Sequence, residues 1–485
     1  MAACPLPAST PAAEGVDARR VEAFLDALEG VGHTSPRGLV VLRHGKAVVQ
    51  GWWAPVTPER PQLLYSLSKS FTSAAAGLAV AEGLLDLDAP VLSYFPELDA
   101  QVTDPRSRAM LVRHVAAMAS GHIDDTWGTA AADPEDPVRG FLTVPPQKDP
   151  GSVFAYNQSC TYTLGATVQR RAGTTLTGYL RPRLLDPLGV GPTVWETDRA
   201  GRELGFSGLY AATDAVARLG QLHLAGGRWE ERQLLPAAWV AEATRPHVSN
   251  GTDPASDWEQ GYGFQFWMSR HGYRGDGAFG QFCLVLPEQD AVVAITGEST
   301  DMHDLLALVW EHLLPAFTPD GRPLAGAGPH DEKLAARLAV LALPAGPGAA
   351  RPAEDPREWA AAPFSGAGDE RARQLGLAAA RLTAVPGGWE LHLETTRDGA
   401  FTLRHDRPAS HGWSTAERPA APVPLAFSGG WSGPGAFTAS LLPLESPHSL
   451  TLALDLSDGT LSVRSRTAPL YGRRLGAYGA PAPGR

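Results

Sequence analysis

Residues 64–88, LYSLSKSFTSAAAGLAVAEGLLDLD, carry apolar side chains at Leu67, Phe71, Ala74 to Ala76, Leu78 and Val80, which cover several faces of a helix. A helix that is apolar all round is stable only when it is buried on every side. That requires a large core, and a chain of 485 residues with 44% hydrophobic content can supply one. At about 150 residues per domain, two or three domains are expected.

Inside this apolar helix stand Ser66 and Lys69, one turn apart on the same face. The chain holds 4 lysines (Lys46, Lys69, Lys148 and Lys333) within 41 lysines and arginines, so arginine is its usual cation. The two differ in one respect that matters here: a buried lysine loses affinity for its proton, whereas arginine stays protonated. Lys69 can therefore accept a proton from Ser66 near neutral pH, and the helix N-terminus would favour the resulting alkoxide. A serine near a helix start also serves as a plain cap. The pair alone leaves both readings open.

A net charge of −11 with no basic run argues against a nucleic-acid partner. The opening MAACPLPASTPAAEG lacks a basic segment followed by an apolar one, and no run of about eighteen apolar residues occurs. Neither export nor membrane spanning is expected. Cys4, Cys160 and Cys283 form no metal-ligand spacing and no paired framework, which fits a reducing cytoplasm.

From about Val16 to Pro315, helical and strand periods alternate, as in an α/β or α+β body. Gly38 to Trp53 reads as two strands joined at His44-Gly45, and Phe282 to Gly297 as a hairpin turning at Glu288 to Asp290; both are expected in one sheet. Asp301 to Phe317 has helical spacing and should close the domain. Proline and glycine then recur around one short helix, EKLAARLAVLAL. Beyond it WELHLETT, GAFTLRHD, SLTLALDL and TLSVRSR alternate with period two, with turns at Asp398-Gly399 and Asp458-Gly459. The expected organisation is a catalytic domain over residues 1–317, a linker region over 318–355 and a small all-β domain over 356–485. No internal repeat is found.

The segments YSLSKSFTS, Val112 to Gly121 (VRHVAAMASG), Pro150 to Gly173 (PGSVFAYNQSCTYTLGATVQRRAG) and Gly275 to Ile295 (GDGAFGQFCLVLPEQDAVVAI) resemble, in order and separation, the serine β-lactamase and penicillin-binding-protein superfamily. Within it the chain is most similar to class C β-lactamases and their esterase and 6-aminohexanoate-dimer hydrolase relatives, over roughly the first 315 residues. The resemblance implies an antiparallel sheet lobe flanked by helices, beside an all-helical lobe, with the active site between them. It implies that Ser66 is the acylated nucleophile and Lys69 its proton partner.

The family's second motif reads Tyr156-Asn157-Gln158 here. A phenolate stabilised by a lysine can relay a proton from serine to the leaving group, which makes Tyr156 the candidate general base and acid. Glutamine replaces the family asparagine, so Gln158 keeps an amide to contact substrate or Lys69. Tyr162 falls outside the motif and reads as core.

The third motif departs most, with Gly275-Asp276-Gly277-Ala278 standing where β-lactamases carry Lys-Thr-Gly. The cation that helps hold a β-lactam carboxylate is missing, and Asp276 would repel an anion. His271 and Arg274 lie close but out of register, and either could reach the cleft. Gly277 would let substrate approach, and the Ser66 and Ala278 N–H groups could form an oxyanion hole. From Ala278 the strand reaches Pro287 sooner than in class C β-lactamases, as in the 6-aminohexanoate-dimer hydrolase branch.

No Gly-X-Ser-X-Gly elbow and no phosphate-binding loop is found. HIDD (His122 to Asp125) reads as a capped helix or loop rather than a metal site. Trp127, Trp267 and Phe279 are candidates to line an apolar pocket, or are plain core. The expected function is a cytoplasmic serine hydrolase that cleaves small-molecule esters or amides through a Ser66 acyl-enzyme, without metal or organic cofactor. The alternatives are a β-lactamase or D-amino-acid peptidase, or a binding protein that kept the fold and lost turnover.

Overall fold

The hairpins' apolar periodicity builds the central sheet of the structure, a computed structural model that describes residues 5–348, 363–433, 435–472 and 474–481. Six strands run in the order Lys46–Trp52, Thr34–Arg43, Ala291–Ser299, Gln281–Leu286, Gly272–Gly277 and Trp267–Ser269, each antiparallel to its neighbour. Val40, Leu42, Cys283, Val285, Val292 and Ala294 face one core, and Leu39, Val41, Phe282, Leu284, Val293 and Ile295 the other. This is the alternation of strands buried on both faces. Both expected hairpins are present, with His44 (φ 50°), Gly45 (φ 72°) and Asp290 (φ 46°) supplying the left-handed turns.

The first core holds the Ser68–Ala81 and Thr213–Leu224 helices and continues into a helical lobe that includes Gln158–Ala172 and Leu176–Leu180. Every residue from Ser68 to Ala79 is buried, as the all-round apolar pattern requires. The second core is covered by Ala18–Gly30 and by Met302–Leu308, which runs on through a wider turn, Val309–Leu313. Gly328–Leu338 packs there too, with Leu341 and Leu343 beyond it, so residues 328–343 of the expected linker lie against the sheet.

The outer edge of Lys46–Trp52 is met near its start: Ala47 N–H donates to Pro7 O at 2.7 Å, and Ala47 O accepts from Ser9 N–H at 3.0 Å. Just past the strand, Ala54 exchanges bonds of 2.9 and 2.8 Å with Leu341 and Leu343. The opposite edge strand, Trp267–Ser269, is 3 residues long.

The C-terminal region forms a nine-stranded sheet, in the order Ala400–His405, Gly388–Thr395, Leu377–Val385, Phe364–Ser365, Thr460–Ser465, Leu450–Asp455, Ala436–Pro443, Leu425–Gly433 and Ser414–Ala416. Its two ends meet where His405 bonds Ser414 Oγ at 2.9 Å, so the sheet curls into a near-closed barrel around Trp389, Leu391, Phe427 and Phe437. Trp413, Leu442 and Leu444 of this region join the second core of the first domain. Cys4 and the expected boundary at 355/356 lie outside the described residues. Cys160 and Cys283 are buried, and burial pushes both thiols up to about 12. Among the described residues no helix is long and apolar enough to cross a membrane.

Candidate active site

The buried helix begins at Ser68 and is preceded by a tighter turn, Tyr65–Leu67, which carries Ser66 at its mouth. Lys69, in the first turn of the helix, is 2% exposed. Its Nζ lies 2.9 Å from Ser66 Oγ, 2.6 Å from Gln158 Oε1 and 2.8 Å from the Phe206 carbonyl oxygen. It also sits over the rings of Tyr156 and Phe206, at 4.8 and 5.6 Å from their centroids. Burial lowers the Lys69 amine to about 7, against the opposing charges of Asp125 and Asp276. A neutral amine has two hydrogens and a lone pair. With the hydrogens held by Gln158 and Phe206, the lone pair is left for the Ser66 hydroxyl.

Asn157 caps the helix Gln158–Ala172 by accepting Ser159 N–H at 3.0 Å, and this places Gln158 at the helix start. The Gln158 N–H donates to Asp125 Oδ1 at 3.0 Å. Tyr156, just before the cap, stacks on Trp267 at 5.2 Å with its hydroxyl near Ser66. Burial raises its phenol well above the usual value, and Ser66 offsets only part of this. The raised phenol favours the protonated form, against the phenolate that the motif implies.

The third-motif strand presses its end against the Tyr65–Leu67 turn. A Cβ on Gly277 would lie 2.2 Å from Leu64 O and 3.2 Å from Leu67 N, and one on Gly275 would lie 2.3 Å from Leu67 Cδ1. Only glycine permits this approach, which leaves Ala278, the next residue in the chain, close to the turn that holds Ser66. Asp276 does not stand as a free negative charge. Arg274 Nε donates to its Oδ2 at 2.9 Å, with both side chains buried. Residues i and i+2 of a strand share a face, so Arg274 and Asp276 lie side by side on one face of the strand Gly272–Gly277. Arg274 therefore offsets the charge with which Asp276 would repel an anion. Burial raises the Asp276 carboxyl, with Arg274 opposing. Arg274 lies over Trp258 at 4.4 Å and Trp267 at 5.7 Å. His271 packs on Trp310 at 4.9 Å, on the side of the second core.

The three aromatic candidates separate. Trp127 packs on Phe206 at 4.5 Å and lines an open cavity of about 430 Å³ with Ala131, Pro134, Pro137 and Leu204. Trp267 backs Tyr156, and Phe279 lies behind the turn against Tyr65. Tyr162 is core, its hydroxyl bonded to Asp198 at 2.6 Å. Both ring nitrogens of His122 are engaged, by Ser120 and the Val144 carbonyl, each at 2.9 Å. Missed from sequence were the Phe206 carbonyl, Asp125 as a partner of Gln158, and Tyr471, which comes from the C-terminal domain to stand edge-on to Phe206 at 6.0 Å.

Residues 18–313 match the Beta-lactamase family. The chain belongs to that family. This Beta-lactamase family member is 25% identical over 285 residues to the 6-aminohexanoate-dimer hydrolase of Paenarthrobacter ureafaciens, a match covering 54% of this chain and 72% of the relative. It is 30% identical over 150 residues to the lovastatin esterase of Penicillium rubens, covering 26% of this chain and 37% of the esterase. The octameric penicillin-binding protein homologue of Pyrococcus abyssi superposes with a TM-score of 0.50 at 14% identity, over 92% of this chain and 98% of that one. That likeness in fold extends through the C-terminal β-rich domain.

Proposed function

We propose that this protein is a serine hydrolase that cleaves neutral esters or amides of small molecules through an acyl-enzyme on Ser66. The observation that carries the reading is the desolvated Lys69 amine against Ser66 Oγ, its hydrogens directed to Gln158 and Phe206 O. Ser66 Oγ bonds to the substrate carbonyl carbon as its proton passes to Lys69, and the Ser66 and Ala278 amides receive the oxyanion. Tyr156, a phenol in contact with Ser66, hands a proton to the departing alcohol or amine and is reprotonated from Lys69. Water then attacks the ester carbon, its proton returns through the same groups, and the acid is released.

The direct test is a fluorophosphonate probe followed by peptide mass mapping. Labelling is expected on Ser66 and is lost in Ser66→Ala; a folded wild-type protein that resists the probe while a control esterase reacts would favour the binding-protein reading. The substrate class is tested with p-nitrophenyl butyrate against a chromogenic cephalosporin. Glycine stands where a carboxylate-holding lysine would be, and a lost charge-assisted contact costs about 1.5–3 kcal/mol. The ester is therefore expected to lead in kcat/KM by roughly ten- to a hundredfold. A better rate on the cephalosporin would assign a β-lactamase instead.

The pH profile has a definite sign. Below about 7 the Lys69 amine is protonated and cannot accept the Ser66 proton, so kcat/KM for a neutral ester is expected to fall as pH drops through that value. An acidic limb centred near the ordinary carboxylate range would assign the base to another group.

A further inference from the structure

Two residues without glycine's freedom hold left-handed backbone angles beside the proposed oxyanion hole: Tyr65 (φ 48°) precedes Ser66, and Phe279 (φ 66°) follows Ala278. Such angles persist where surrounding contacts over-determine them. Here the contacts come from the far end of the chain. Tyr65 and Phe279 meet edge-on at 5.3 Å, and the ring of His448 lies 5.8 Å from the first and 5.0 Å from the second. His448 is fully buried and belongs to the segment between two strands of the C-terminal barrel.

The hydrogen bonds around His448 settle its tautomer. Thr467 Oγ1 donates to Glu298 Oε1, so it must accept from His448 Nδ1, 2.6 Å away. Nδ1 then carries the ring proton, and Nε2 accepts from the Tyr65 hydroxyl at 2.5 Å. Burial drives the imidazole down to about 3, with Arg37 and Arg371 adding to the effect, so the ring is neutral as this pattern demands. Glu298, 1% exposed on the strand Ala291–Ser299, also accepts from Ser449 Oγ at 2.7 Å. The bonds thus run from the nucleophile turn, through two side chains of the C-terminal domain, back to a carboxylate on the central sheet.

We propose that His448 is a positioning residue for the oxyanion hole, holding Tyr65 and Phe279 so that the adjoining Ser66 and Ala278 amides converge, and that the C-terminal domain thereby contributes to turnover. This rests on the serine-hydrolase reading above. A side chain that only glued the domains together would affect stability. One that aims the amides would affect the tetrahedral state more than the bound substrate.

The test uses the full chain and compares wild type with His448→Leu, His448→Gln, Tyr65→Phe and an interface control, Arg466→Ala, whose guanidinium bonds Thr34 O at 2.8 Å and makes none of the His448 bonds. The readouts are kcat and KM on p-nitrophenyl butyrate, the inhibition constant of phenylboronic acid, which forms a tetrahedral adduct with a nucleophilic serine, and the urea midpoint. His448→Leu is expected to lower kcat by about tenfold or more, with little change in KM, and to weaken the boronic acid by a similar factor. His448→Gln, whose amide can still accept from Tyr65, should recover most of both, and Arg466→Ala should leave both unchanged. If His448→Leu does not fold, Tyr65→Phe keeps the ring and gives the same comparison. Unchanged kcat and boronic-acid affinity in the folded variants, with only the urea midpoint lowered, would overturn the positioning role alone. A wild-type protein that neither hydrolyses esters nor binds the boronic acid would sink the hydrolase reading and this inference with it.

Discussion

Lys69→Arg is expected to cost at least ~10²-fold in kcat/KM on a neutral ester, the lower scale of acid–base effects. The variant keeps a positive charge, so a purely electrostatic role for Lys69 would survive. It cannot release a proton near neutrality, and it must fit a longer, planar group into the space between Gln158, Phe206 O and the rings of Tyr156 and Phe206. The acidic limb near 7 should also disappear from whatever activity remains. Steady-state rates across about pH 5 to 9, with a urea melt to show that the variant is folded, make the measurement. Activity within a few-fold of wild type would restrict Lys69 to a structural part.

Arg274→Met should have the larger effect on stability, and its effect on the pH profile has a fixed direction. It leaves the buried Asp276 without its partner, and breaking a buried ion pair from one side costs about 3–5 kcal/mol. Asp276 is one of the charges that hold the Lys69 amine up against desolvation. With Arg274 gone, any ionised Asp276 acts on Lys69 uncompensated, so the Lys69 pKa rises and the acidic limb moves to higher pH. Denaturant melts and the pH dependence of kcat/KM read the two effects separately. A limb that stays in place while stability falls would show that the pair matters to packing alone. No change in either would mean that the pair is not formed.

The parts of the site that could be read in the sequence are those where residue type and chain position coincide. Ser66 and Lys69 lie one helical turn apart in an apolar segment, and a lysine among arginines marks itself. The hairpin at His44-Gly45 and the strands Gly388–Thr395 and Leu450–Asp455 follow from period-two alternation. What escaped was of three kinds. The Phe206 carbonyl is a backbone acceptor and has no side-chain signature. Arg274 is recognisable as a cation near the cleft, but its pairing with Asp276 follows only once the strand puts both on one face. His448 reaches Tyr65 across 383 residues, and no local pattern encodes such a contact.

The C-terminal barrel had gaps of the same origin. Leu377–Val385 is rich in alanine, a helix former, and Leu425–Gly433 holds 3 glycines, so neither segment advertises a strand. Each becomes a strand because neighbours on both sides supply hydrogen bonds and an apolar face. Tertiary context overrode propensity there.

The occupied margins of the two large sheets bear on how the protein behaves in a crowded solution. A bare strand margin offers a row of free amides and carbonyls on which another chain can add, which is a common start of aggregation and domain exchange. Along the described residues, one margin of the six-stranded sheet is met by Pro7 and Ser9 at Ala47 and by Leu341 and Leu343 just past its end, the other is only 3 residues long, and the nine-stranded sheet brings its ends together at His405 and Ser414. Among the described residues, the free strand length that either sheet leaves for an added chain is therefore short.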